Sequence, residues 1–130
     1  MDELPAALRP GAGSTWTRAI TEADVRNFAE VSGDRGRHHV EPDARGRLMA
    51  HGLLTATLPT KLGGDLNYMA RTMTFDFVKP VYSGDVLTCA GTVVSTAVQS
   101  TRYRVRLSFE VRNQDGEVVL TGTTSGSVLR

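Results

Sequence analysis

A chain of 130 residues, 40% hydrophobic and 22% charged, holds one ordinary globular domain; a second core or sustained disorder is excluded. Fifteen cations against fourteen acids leave a net charge of +1, too little for a global field that would hold a nucleic acid. No apolar run approaches the roughly 18 residues needed to span a bilayer, and residues 1–13 lack the basic start and apolar core of a signal segment. A cytoplasmic protein with no membrane partner is expected.

Residues 1–13 carry two prolines and two glycines without sustained periodicity and read as a leader, with the domain proper at 14–130. After a short strand, Thr21 can cap a helix, Asp24 follows three residues later, and Ile20 and Val25 occupy hydrophobic-staple positions. Val25, Phe28 and Ala29 make the apolar stripe of that helix, which Ser32-Gly33 ends near Asp34. Asp34 to Met49 reads as loop, with Gly36, Pro42, Gly46 and seven formally charged residues. His51 to Gly64 is apolar or small around nearly the whole helical circumference until Lys61, the pattern of a helix buried on most sides. Pro59 should kink it, because it removes the hydrogen bond to the carbonyl of Thr55.

The remainder reads as strand. Met73, Phe75 and Phe77 alternate with Thr72, Thr74 and Asp76, Pro80 closes that segment, and Ser83-Gly84-Asp85 makes a turn before a strand over 86–97. Tyr103, Val105, Leu107, Phe109 and Val111 then alternate with Arg102, Arg104, Arg106, Ser108, Glu110 and Arg112, giving one dry face and one cationic face. The three arginines at 102–106 are expected on the wet face of an edge or dimer-proximal strand. A turn at 113–116 returns the chain as a last strand over 117–128 of an antiparallel meander. The single cysteine, Cys89, precludes an internal disulfide and reads as a small core residue. The architecture is α+β, one long helix packing on an antiparallel sheet, with a second copy expected on the sheet's free face or edge.

Four positions suggest chemistry. Asp34 and His39 stand five apart at a helix exit, and His51-Gly52 opens the buried helix. Histidine exchanges protons near neutral pH and a nearby carboxylate can orient it or hold a water. A helix start presents unpaired N–H groups, so the Gly52 amide can hold an oxygen that gains negative charge. His38 is the register alternative to His39, and His51 reads as structural, its ring bonded to nearby backbone. The cluster His38, His39, Glu41, Asp43 and His51 has no distinctive ligand spacing, so no metal is expected.

These residues resemble the MaoC-like hot-dog-fold (R)-specific enoyl-thioester hydratases and 3-hydroxyacyl-thioester dehydratases. Ser32-Gly33-Asp34 with His39 is similar to the hydratase motif, His51-Gly52-Leu53-Leu54 to the later His-Gly segment, and Phe77, Pro80, Val81, Gly84 and Asp85 to the strand signature. The resemblance implies a single hot-dog domain, an antiparallel sheet wrapped around a long central helix, paired as a homodimer. It implies Asp34 and His39 as the catalytic dyad, Gly52 as backbone donor to the thioester carbonyl, and Thr60 where some members place an active-site serine. The reaction would interconvert a trans-2-enoyl thioester and a 3-hydroxyacyl thioester, carried by coenzyme A or an acyl carrier protein, with no cofactor. Arg35, Arg37, Arg45 and Arg47 then read either as a solvated loop or as contacts to the carrier's phosphates. Gly36-Arg37 replaces the family's Asn-Pro, removing a rigid turn that would hold His39. Two other readings share the fold: a thioesterase, which needs a carboxylate on the central helix that residues 52–64 lack, and a non-catalytic acyl-binding or partner subunit.

Overall fold

Five strands, β1 (Gly13–Ala19), β2 (Met69–Phe77), β3 (Val86–Val98), β4 (Arg102–Arg112) and β5 (Val118–Leu129), form one antiparallel sheet in the computed structural model, which describes residues 4–130. Their order is β1-β3-β4-β5-β2. Only β3, β4 and β5 make a meander; β2 crosses to the far edge to pair with β5, and β1 pairs with β3. This corrects the expected position of the arginine-bearing strand. β4 is the middle strand, so Arg102, Arg104 and Arg106 are exposed on the outer face and not at an edge.

The alternation in β4 holds through the strand. Val105, Leu107, Phe109 and Val111 are buried while Arg104 and Arg106 face out, as a period of two requires when one face is covered. Arg104 and Arg106 border one hollow on that outer face and Arg71, Arg102 and Arg104 an adjoining one. None of these four makes an ion pair among the described residues. The inner face packs on α1 (Glu22–Ser32), α3 (Gly52–Thr55) and α4 (Thr57–Asp65) through Val25, Leu54, Leu58 and Leu62. Cys89 on β3 has no exposure, and that burial pushes its thiol up to about 12.

The capping reading of α1 matches the structure. Thr21 Oγ1 accepts from the Asp24 N–H, Asp24 Oδ2 accepts from the Thr21 N–H, and Gly33 ends the helix at φ 77°. The expected single long helix is instead two. The break falls at Ala56, between α3 and α4 and three residues ahead of Pro59, whose ring nitrogen has no hydrogen to give the Thr55 carbonyl. The stretch read as pure loop contains a helical turn, α2 (Arg37–Val40). Within the expected leader, Leu8 is 3% exposed in the core, its carbonyl accepts from Thr96 Oγ1, and Gly11 and Ala12 bond to Val93.

The helix layer only half covers one strip of sheet. Met73 and Phe77 point to the inner face of β2, opposite Thr124 and Leu120, yet stay 46% and 54% exposed. No helix among the described residues is long and apolar enough to cross a membrane.

Candidate active site

The C-terminal end of α1, the α2 turn, the start of α3 and the end of β2 enclose a cleft of about 660 Å3. Phe28, Phe77, Val78, Val81 and Val119 supply apolar wall; Asp34, His38, His39 and His51 supply the polar end.

Asp34 arrives there because the left-handed Gly33 turns the chain out of α1. Its Oδ1 accepts the Gly36 N–H at 3.1 Å, which leaves Oδ2 turned to His39 Nε2 at 3.5 Å. The Gly36 hydrogen bond is the main reason the Asp34 carboxyl lies below its ordinary range, with the nearby imidazoles adding to it. Asp34 is therefore a carboxylate near neutral pH.

His39 is 5% exposed and held on several sides. Its Nδ1–H donates to the Met49 carbonyl at 2.7 Å, and the Met49 N–H donates to the His38 carbonyl at 2.9 Å. The His39 ring lies 3.6 Å from the His51 ring at an interplanar angle of 14°, and 3.8 Å from the His38 ring at 48°. At Gly36-Arg37 backbone bonds close the turn: the His39 N–H donates to the Gly36 carbonyl and the Glu41 N–H to that of Arg37. With Nδ1 committed to Met49, Nε2 is the atom His39 offers to the cleft.

Gly52 begins α3, so its N–H precedes the intrahelical bonding pattern. A Cβ there would meet Phe77 Cε1 at 2.7 Å, so only glycine keeps the backbone and the Phe77 ring in contact.

Residues 11–122 match the family described as FAS1-like, dehydratase domain region. The chain is also 31% identical over 126 residues to the 3-hydroxybutyryl-CoA dehydratase of Methylorubrum extorquens, a match covering 88% of this chain and 77% of that protein. It belongs to the FAS1-like dehydratase family. Among solved structures, the unliganded R-hydratase PhaJ1 from Pseudomonas aeruginosa superposes with a TM-score of 0.82 at 28% identity, over 93% of this chain and 86% of that one. The (R)-hydratase from A. caviae involved in PHA biosynthesis gives 0.80 at 25% identity, over 94% and 98% of the two chains. A MaoC-like dehydratase from Rhodospirillum rubrum, at 22% identity and a TM-score of 0.77 over 95% and 94%, shares the fold. The protein is thus a hydro-lyase of the MaoC-like hot-dog type.

The other positions singled out in this dehydratase sit differently. Thr60 lies outside the cleft lining, exposed, its hydroxyl donating to the Ala56 carbonyl one turn back. Arg35 pairs with Glu30, Arg37 with Glu41 at 3.5 Å, and Arg47 with Asp43 at 3.0 Å while lying over the Tyr82 ring. Among the described residues the Arg45 guanidinium has no carboxylate partner, and none of the four lines the cleft. Ligand-type atoms of Asp34, His39 and His51 lie within 4.8 Å of one another. The His39 and His51 rings are nearly parallel, so their in-plane lone pairs run side by side and do not converge as metal coordination requires. Sequence reasoning missed two groups, the Met49 carbonyl and the Phe28 ring against His51. A backbone carbonyl carries no side-chain signal, and Phe28 has the spacing of any core residue on the stripe of α1.

Proposed function

We propose that this dehydratase interconverts a trans-2-enoyl thioester and the 3-hydroxyacyl thioester through Asp34 and His39, with the Gly52 N–H holding the thioester carbonyl. The observation that carries the reading is the 3.5 Å approach of Asp34 Oδ2 to His39 Nε2 at the polar end of an otherwise apolar cleft. With Asp34 ionised and the His39 proton on Nδ1, both facing atoms are acceptors. A water donating one O–H to each satisfies both and keeps a lone pair for attack on C3 of the substrate. The pair takes the water's proton as the C3–O bond forms, and returns one to C2 as the enolate collapses. In dehydration the same groups remove the C2 proton and protonate the departing hydroxyl. The Gly52 N–H supports this scheme by stabilising the oxygen that becomes enolate-like, a charge absent from the ground state.

The apolar wall suits an acyl chain, and the carrier is coenzyme A or an acyl carrier protein. Arg45 supports a contact to carrier phosphate, since no carboxylate among the described residues competes for it. The half-exposed inner strip of β2, Met73 and Phe77, supports a homodimer closing on that edge, where unpaired strand groups invite a second copy. Leu53, Phe77 and Val78 belong to both the exposed apolar set and the cleft wall, so the partner would also narrow the substrate site.

Mixing the protein with a short trans-2-enoyl-coenzyme A and following the conjugated thioester absorbance tests the reading. Absorbance should fall with the native protein, and His39→Gln should slow that fall by at least about 10²-fold. Rapid turnover by His39→Gln would remove the dyad. No turnover on either coenzyme A or carrier-bound substrate would favour a non-catalytic subunit.

A further inference from the structure

We propose that His51 is a positioning residue that sets both members of the acid–base pair at once, its Nε2–H holding the Asp34 backbone and its ring face holding the His39 imidazole. This rests on the reading of Asp34 and His39 as the dyad. His51 occupies the N-cap position of α3, where Ser, Thr, Asp or Asn would bond the helix's own N–H groups, yet its side chain makes no capping bond. It donates Nε2–H to the carbonyl of Asp34 at 2.8 Å, seventeen residues earlier in the chain. Its ring stacks on His39 at 3.6 Å and 14°, and Phe28 backs it at 4.9 Å.

The residue is 3% exposed, and its Nδ1 is buried with no hydrogen-bond partner among the described residues. A lone buried acceptor weakens a fold. A residue chosen for stability would cap the helix; this one gives its donor to the Asp34 peptide and its face to the His39 ring. The Asp34 carbonyl fixes the peptide from which the carboxylate projects, while the stack and the Met49 bond together fix rotation of the imidazole. The other charged or titratable groups around His39 are Asp34, His38 and, across the cleft, Lys79.

Two variants divide the roles: His51→Gln keeps a donor near Nε2 and loses the ring, and His51→Phe keeps a ring and loses the donor. In each, kcat on a short trans-2-enoyl-coenzyme A should fall about 10- to 100-fold with KM held within about twofold. In a His39→Gln background His51→Gln should cause no further loss, because the ring it removes acts only through His39. Proton NMR supplies a readout without turnover. The His39 Nδ1–H held by Met49 should give a downfield, slowly exchanging signal in the native protein that broadens in His51→Gln, which loses the stacked ring. That signal tests the inference even if enoyl thioesters prove not to be substrates. An unchanged Nδ1–H signal in His51→Gln, a native kcat in both variants, or equal losses from His51→Gln in the native and His39→Gln backgrounds would each overturn it. Either variant alone carries the test if the other fails to fold.

Discussion

Asp34 shows how a backbone hydrogen bond sets the working state of an exposed carboxylate. The Gly36 N–H holds its carboxyl below the ordinary range, so the ionised form favours the folded state. The contribution to stability is present at neutral pH and disappears as pH falls through that lowered value. The acid limb of kcat/KM governed by Asp34 is accordingly expected below the ordinary aspartate range, and a limb at or above that range would assign it to another group. Gly52 offers a further test. Gly52→Ala puts a methyl group against the Phe77 ring, which is half exposed and able to swing, so the fold should survive while the ring moves into the cleft. Turnover should drop about tenfold or more with little change in melting temperature. The pairing of Asp34 with His39 was legible in the sequence because a helix stop and a short spacing are local signals. The stacking of His51 on His39 was not, because it depends on how two segments twelve residues apart meet in space.

At the scale of elements, α2 shows what holds His39 where the Asn-Pro of the resemblance is missing. RHHV carries no side-chain cap, so nothing in its pattern announced a helix, and the turn is fixed by Gly36, Arg37 and Met49 backbone bonds instead. Arg37 is its first residue, a position where proline fits because that N–H has no intrahelical partner, and Gly36 before it has the extended ψ of 144° that proline demands of its predecessor. Arg37→Pro should therefore stabilise the protein by about 0.4–1 kcal/mol in chemical denaturation and leave activity intact. A destabilised product would show that the Arg37–Glu41 pair holds the turn. The divided helix was half legible: Pro59 signalled an irregularity, but its location at Ala56 is settled by which carbonyl loses its donor. Cys89, read from its neighbours as core, should resist thiol reagents in the native state and react only as fast as the protein unfolds.

The molecule as a whole follows from the placement of β2. Alternation identified Met73, Phe75 and Phe77 as an apolar face, but no local pattern says which neighbour a strand will choose, and β2 goes to the far edge, where the helices cover it only in part. There its apolar side waits half covered. Sedimentation should give a particle of twice the chain mass, and Met73→Asp, which puts a charge on that strip away from the dyad, should shift it toward one chain. A monomer in the native protein would mean the strip serves something else.

The outer-face arginines have a consequence in the laboratory column. Charge on this protein nearly cancels in total, +1, yet Arg71, Arg102, Arg104 and Arg106 sit together on one side of the sheet with no carboxylate pairing them among the described residues. A sulfonated resin in about 0.1 M salt senses only what lies within about 10 Å of its surface. The protein should bind it in one orientation, the outer sheet face against the resin, and elute later than a molecule of the same net charge with its cations evenly spread.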